Sequence, residues 1–160
     1  MTDYLNRYIS PLGAITLASD GFSLTGLRFN EYGEGREKDL PVFDTAKRWL
    51  DVYFKGNAPD FTPPLRLRGS GFQTAVWNIV MTIPFGKTMT YGEVAACFSA
   101  RMSAQAVGGA VGRNPVLLIV PCHRVVGVNG KVTGYSGGTD KKIRLLELEN
   151  SGQIRSDFFR

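Results

Sequence analysis

A chain of 160 residues, 43% hydrophobic and 21% charged, has a globular composition and is long enough for one ordinary domain or two small ones with their own cores. It holds no apolar run of transmembrane length, and its first residues lack the basic flank and apolar core of a secretory signal. The net charge of +5 lies wholly in the second half: residues 1–70 carry nine basic and nine acidic side chains, residues 71–160 ten and five.

Tyr8-Ile9-Ser10 and Ala14-Ile15-Thr16-Leu17-Ala18 read as two strands around a Pro11-Leu12-Gly13 turn. Asp20-Gly21 is a further turn signal, and Leu24-Thr25-Gly26-Leu27-Arg28-Phe29 reads as a third strand. Phe43, Ala46, Leu50, Tyr53 and Phe54 recur at helical spacing, with Gly56 closing the helix. Residues 57–70 hold three prolines and little periodicity and read as a linker. The expected organisation is α/β (α+β). Residues 1–68 form a small sheet-plus-helix domain. Residues 69–160 form a mostly helical domain with a helix-turn-helix and a short buried strand.

The second part opens with Phe72, Val76, Ile79, Val80 and Ile83 on one helical face, stopped by Pro84 and Gly86. A short helix is expected over 91–98. After a break, Ser103 is a candidate N-cap for a helix through Ala104, Ala106, Val107, Ala110 and Val111. Helix, break, helix is the outline of a helix-turn-helix. Ala104, Ala106, Gly108, Gly109, Ala110 and Gly112 are all small, which allows close approach to a neighbouring helix or to a nucleic-acid groove.

The apolar run Val116-Leu117-Leu118-Ile119-Val120 reads as a buried strand ended by Pro121. Behind it comes Cys122, beside the only histidine, His123. A neighbouring imidazole can take a thiol proton, and the thiolate is the nucleophile. With no export signal, Cys97 and Cys122 are expected as free thiols in the cytoplasm, nucleoid-associated if the source is prokaryotic. One histidine and two cysteines are too few for a structural zinc cluster. No acidic residue lies between Val94 and Thr139, a stretch that carries Arg101, Arg113, Arg124 and Lys131, so a polyanionic partner is expected. Gly134-Tyr135-Ser136-Gly137-Gly138 is a flexible loop that places a phenol and a hydroxyl. A last helix over 140–150 projects Glu149 near its apolar side, where a carboxylate needs a partner; His123 is the expected one.

These residues together resemble the O6-alkylguanine-DNA alkyltransferases, the methylated-DNA–protein-cysteine methyltransferases. The resemblance runs from about Phe72 to Glu149. It rests on Thr82-Ile83-Pro84-Phe85-Gly86-Lys87, Tyr91-Gly92, Ala106-Val107-Gly108-Gly109-Ala110, Asn114-Pro115, Pro121-Cys122-His123-Arg124-Val125 and Gly134-Tyr135-Ser136-Gly137-Gly138. Ser10-Pro11-Leu12-Gly13 also fits.

The resemblance implies a single-turnover DNA repair enzyme without a cofactor, acting as a monomer on double-stranded DNA that carries O6-alkylguanine, and on O4-alkylthymine. Cys122 is then the alkyl acceptor. His123 takes its proton through a water, Glu149 orients His123, and Asn114 holds the backbone around the cysteine. Tyr91 contacts the flipped guanine and helps rotate its phosphate. Tyr135 and Ser136 lie over the base, and the carbonyls of Cys122 and Val125 read its exocyclic amine. The small-residue helix enters the minor groove through Ala104, Ala106 and Gly108, with Arg101, Arg113 and Arg124 as further DNA contacts. The family's usual arginine finger is replaced by Gln105, which reaches the orphaned base without charge or a stacking plane.

Three rival classes meet specific objections. A non-enzymatic binder of alkylated DNA needs no acceptor thiol. A helix-turn-helix regulator reads base edges with longer side chains than Ala and Gly. A cysteine hydrolase needs an oxyanion site and turns over repeatedly.

Overall fold

Ser10 and Gly13 close the first hairpin. Ser10 Oγ donates to the Gly13 carbonyl at 2.7 Å and accepts from the Leu12 amide at 3.1 Å. Gly13 turns at φ +116°, a conformation that glycine adopts without a Cβ clash. The computed structural model describes residues 3–30 and 34–152, which divide into two compact units.

The first unit comprises Met1–Arg68 together with Pro115–Leu117. Strands β1 (Asp3–Ser10), β2 (Gly13–Ser19), β3 (Leu24–Phe29) and β4 (Gly35–Glu37) form one sheet in the order β3-β2-β1-β4. The β1–β2 and β2–β3 pairs are antiparallel, with Tyr8 opposite Ile15 and Leu17 opposite Leu27. Strand β4 runs parallel to β1, and Gly35 lies so close that an added Cβ would sit 2.4 Å from the Asp3 carbonyl. Helix α1 (Pro41–Phe54) packs on β1–β3 with Phe43, Ala46, Leu50 and Tyr53 buried, the apolar positions expected from spacing. Gly56 at φ +87° closes it.

The free edge of β3 is covered by two short pieces of chain. Leu24 pairs with Leu65, and Leu27 with Val116, each as a single parallel bridge. The supposed linker is therefore partly docked, and two ion pairs, Arg66–Asp20 and Arg68–Asp3, hold its C-terminal end. Covering an edge strand blocks pairing with foreign chains. The 116–120 run is buried as expected but is not a strand. Only Val116 makes a bridge, and Leu118 turns the chain at φ +71°. A continuous apolar run reports burial, and burial does not require a ladder.

The second unit comprises Gly69–Asn114 and Leu118–Arg160. Helix α2 (Gly71–Val80) starts on a reciprocal capping box: the Gln73 amide donates to Ser70 Oγ and the Ser70 amide to Gln73 Oε1. Val76, Val80 and Ile83 are buried, whereas Phe72 is 37% exposed and meets Phe98 at the surface. Strand β5 (Met89–Thr90) leads into helix α3 (Tyr91–Ala96), which has its own box between Thr90 and Glu93. Helix α4 (Ala104–Gly112) is capped by Ser103, whose Oγ accepts from the Ala106 amide at 3.0 Å. Trp77 of α2 donates from Nε1 to the Ala110 carbonyl, fixing α4 against α2. Strand β6 (Val125–Val126) pairs in parallel with β5 and is the short buried strand of this unit. Helix α5 (Thr139–Ser151) ends at Gly152, φ +77°. Among the described residues no helix is long and apolar enough to cross a membrane.

Candidate active site

Asn114 is buried at the end of α4, and its Nδ2 donates to the Val120 carbonyl at 2.8 Å. That bond holds the chain just before Pro121. Cys122–Arg124 then forms a single 3-10 turn, closed by the Arg124 amide on the Pro121 carbonyl at 2.9 Å. Cys122 is 3% exposed and His123 is fully buried. The turn fixes their relative placement before any substrate arrives, which is what positioned catalysis requires.

Glu149 of α5 meets this turn. Its Oε2 lies 2.5 Å from His123 Nε2 and 3.2 Å from Arg124 Nη2. Its Oε1 accepts from Arg124 Nε at 2.8 Å and from the Gly86 amide at 3.0 Å. Arg124 also donates from Nη1 to the Ile83 carbonyl at 2.7 Å and lies over the Phe85 ring. The Thr82-to-Lys87 motif thus serves the site through backbone groups, Ile83 C=O and Gly86 N–H.

Burial by itself would raise the Glu149 carboxyl, but its hydrogen bond and charge contact with His123, followed by those with Arg124, hold it down at about 2. Arg124 keeps Glu149 ionised whether or not His123 carries a proton. Burial pushes His123 below the ordinary histidine value, with Glu149 pulling the other way. Burial also pushes the Cys122 thiol up to about 11, opposed by Asn114 and by the charge of Lys142. The resting site therefore holds a thiol, a neutral imidazole and a carboxylate. Moving one proton from Cys122 to His123 creates an imidazolium already in contact with Glu149.

Tyr135 stands edge-on to His123, ring centroids 6.4 Å apart. Its hydroxyl is buried and has no hydrogen-bond partner among the described residues. Burial first, then the nearby Cys122 and Glu149, push its phenol well above the ordinary value, so it stays a neutral donor. Tyr91, at the start of α3, is half-buried, and its hydroxyl accepts from Thr133 Oγ1 at 3.3 Å and from Lys142 Nζ at 3.5 Å. Val125 is buried behind Cys122, and Ser136 is exposed on its loop.

On α4, Val107, Ala110 and Val111 face inward, while Ala104, Gln105, Ala106 and Gly109 are exposed. An added Cβ at Gly109 or Gly112 would meet nothing within 4 Å, so close internal packing is not what keeps these positions small. Arg101 and Arg113 flank the helix and are exposed. Arg124, expected as a DNA contact, is instead 8% exposed, with its guanidinium committed to Glu149 and Ile83. A buried carboxylate binds it more strongly than a solvated phosphate could. Among the described residues no group of His, Cys, Asp or Glu could hold a metal ion.

Two family models between them match most of the chain. Residues 71–151 fit the DNA-binding domain, and residues 4–67 the ribonuclease-like domain, of 6-O-methylguanine DNA methyltransferase. The chain belongs to the 6-O-methylguanine DNA methyltransferase family.

Relatives in this family include the methylated-DNA--protein-cysteine methyltransferase of Mycobacterium tuberculosis, 48% identical over 147 residues that cover 89% of each chain. The protein of the same name from Methanosarcina acetivorans is 42% identical over 157 residues, 92% of this chain and 99% of its own. The crystal structure of M. tuberculosis OGT in complex with DNA superimposes with a TM-score of 0.87 at 44% identity, covering 97% of each chain. An O6-methylguanine DNA methyltransferase from Methanococcus jannaschii gives 0.65 at 32% identity, covering 92% of this chain and 94% of that one.

Within this methyltransferase-family chain the structure brings Cys122, His123, Glu149, Asn114, Tyr135 and Val125 together and leaves Gln105, Arg101 and Arg113 exposed on and beside α4. Sequence reasoning missed Lys142 and Thr133. Lys142 lies seven residues before Glu149, two turns away on the same face of α5, but nothing in the sequence distinguishes it from Lys141 beside it.

Proposed function

We propose that the protein repairs alkylated DNA by taking the alkyl group of an O6-alkylguanine onto Cys122, once per molecule and without a cofactor. His123 accepts the thiol proton, and Glu149 stabilises the imidazolium. The Cys122 sulfur attacks the alkyl carbon, forming an S–C bond as the O6–C bond breaks. The guanine leaves as an anion, hydrogen-bonded by the Tyr135 hydroxyl, which is buried without another partner among the described residues, and the proton first taken from Cys122 neutralises it. A thioether has no easy hydrolytic exit, so the product is inactive protein and repaired guanine. O4-alkylthymine presents the same alkyl–oxygen bond and is a second substrate.

The observation that carries this reading is the buried His123–Glu149 contact next to a buried thiol. A non-catalytic binder of alkylated DNA has no use for such a pair. The target atom is inside the duplex stack, so the nucleotide must be flipped out. The exposed Ala and Gly face of α4 fits the minor groove, with Gln105 entering the gap, Arg101 and Arg113 on phosphates, and Tyr91, Ser136 and the Val125 carbonyl around the extruded base. Residues 69–160 form the DNA-binding and acceptor domain, and residues 1–68 a supporting α/β domain. The protein works as a monomer on chromosomal DNA in the cytoplasm, at the nucleoid in a prokaryote.

A titration tests the reading. With excess duplex carrying O6-methylguanine, demethylated guanine should plateau at one per protein. Continued turnover, or methanol release, would point to a hydrolase instead.

A further inference from the structure

The chain turns just after α2, and this turn touches both members of the ion pair behind His123. The Lys87 amide donates to the Pro84 carbonyl at 3.0 Å, Gly86 stands at φ +79°, and Phe85 before it has no positive φ. These are the marks of a type II turn over Pro84–Lys87, whose third position demands a left-handed backbone. In such a turn the peptide between the two central residues is rotated by about 180° from its direction in a type I turn. Here that peptide's N–H, on Gly86, donates to Glu149 Oε1 at 3.0 Å. Three residues earlier the Ile83 carbonyl accepts from Arg124 Nη1 at 2.7 Å. The segment thus offers a donor to the anion and an acceptor to the cation. Arg124 and Glu149 also grip one another through Nε and Nη2, and a planar pair bound only to itself is free to pivot. Held from outside at both ends, it keeps Glu149 Oε2 at 2.5 Å from His123 Nε2.

Space is not what keeps residue 86 a glycine. An added Cβ would sit 3.4 Å from the Glu149 carbonyl, an ordinary contact. The backbone conformation is the constraint, because a β-branched residue is a genuine outlier at positive φ. Such a residue favours the type I alternative. Rotation of the 85–86 peptide would then aim the Phe85 carbonyl at the Glu149 carboxylate in place of the Gly86 N–H. Two oxygens would face each other, and the carboxylate would be driven off His123. We infer that Gly86 is a positioning residue for alkyl transfer: its left-handed backbone aims an N–H at Glu149 and so keeps that carboxylate on His123. The inference rests on His123 accepting the thiol proton, as in the proposed function.

The test compares three forms of the full chain with wild type. Gly86→Val disfavours the left-handed backbone, and Gly86→Asn tolerates it. Glycolic acid in place of Gly86, introduced by semisynthesis, keeps the freedom of glycine but puts an ester oxygen where the N–H was. Single-turnover methyl transfer from duplex carrying O6-methylguanine should slow about tenfold or more in the valine and glycolate proteins, and Gly86→Asn should recover most of the rate lost to valine. The proton on His123 Nε2, assignable because the chain has one histidine, should move upfield in proton–nitrogen NMR spectra of those two proteins and hold its place in Gly86→Asn. If the valine variant fails to fold, the glycolate protein decides. The inference is overturned if the glycolate protein transfers at the wild-type rate, if valine and asparagine give equal rates, or if transfer slows while the His123 signal holds its place. A wild-type protein that takes no methyl from DNA, yet whose His123 signal moves on glycolate replacement, would sink the repair function and leave the placement of Glu149 by Gly86 standing.

Discussion

Arg124 grips Glu149 through two nitrogens, Nε at 2.8 Å and Nη2 at 3.2 Å, on the same carboxylate that meets His123. The residue next to the acceptor pair is thus part of its scaffold. In the proposed mechanism one carboxylate serves catalysis and folding together, and the two roles can be separated by measurement.

Glu149→Gln removes the charge that stabilises the imidazolium and leaves Arg124 buried without its anion. Methyl transfer should slow by about 10²-fold or more, the scale of a lost acid–base partner. Stability should fall by about 3–5 kcal/mol, as for a broken buried ion pair. Affinity for unmodified duplex should stay near wild type. Single-turnover rates, chemical denaturation and DNA titration read the three effects. Transfer at the wild-type rate would show that His123 works without Glu149.

Acid should destabilise the protein through the same carboxylate. The folded Glu149 is held at about 2 against an ordinary 4.5, so its contribution is fully present above about 4.5 and is lost as the pH falls toward 2. His123 is depressed by burial, so the unfolded chain takes up its proton first, and stability also falls as the pH drops below the ordinary 6.5. Both signs agree. Denaturation midpoints across the acid range should slope downward, and Glu149→Gln should flatten the slope below about 4.5. An unchanged slope in that variant would place the acid sensitivity elsewhere.

DNA affinity should fall steeply with salt, since phosphate contacts release counterions. Arg101→Ala and Arg113→Ala should each reduce the slope of log affinity against log salt by about one. Arg124→Ala should leave that slope unchanged and lower stability, because its guanidinium is buried on Glu149 and Ile83. A reduced slope for Arg124→Ala would restore it as a phosphate ligand.

Gln105 is exposed in the first turn of α4, and the proposed function assigns it the task of filling the vacated stack. Flipping costs a few kcal/mol, and about 1.4 kcal/mol of help is tenfold in rate. Gln105→Arg should therefore speed transfer from duplex DNA more than from free O6-benzylguanine, which needs no flipping. Equal effects on both substrates would show that Gln105 does not limit this step.

What the sequence disclosed follows physical lines. Ser103, Asp20-Gly21 and the Phe43-to-Tyr53 spacing act locally, and each forms the cap, turn or helix face it implies. Strand β4 was illegible because Gly35, Arg36 and Glu37 are all exposed and show no apolar alternation. The 116–120 run was misread because burial from several sides looks like a central strand. Cys122, His123 and Glu149 were legible because an inward carboxylate and a lone histidine each need a partner. Arg124 and Lys142 were not, because a basic residue in an acid-free stretch, or one beside Asp140 and Lys141 on a charged helix, looks solvated until its buried partners, Glu149 for one and Tyr91 with Thr133 for the other, are seen.

The central claim is that one atom, the Cys122 sulfur, receives the alkyl group. Incubating the protein with duplex DNA carrying O6-methylguanine, then digesting it and weighing its peptides, tests this most directly. The peptide containing Cys122 should gain one methyl group, and the peptide containing exposed Cys97 none. A methyl group on Cys97, or none on either cysteine while the DNA loses its own, would contradict the account.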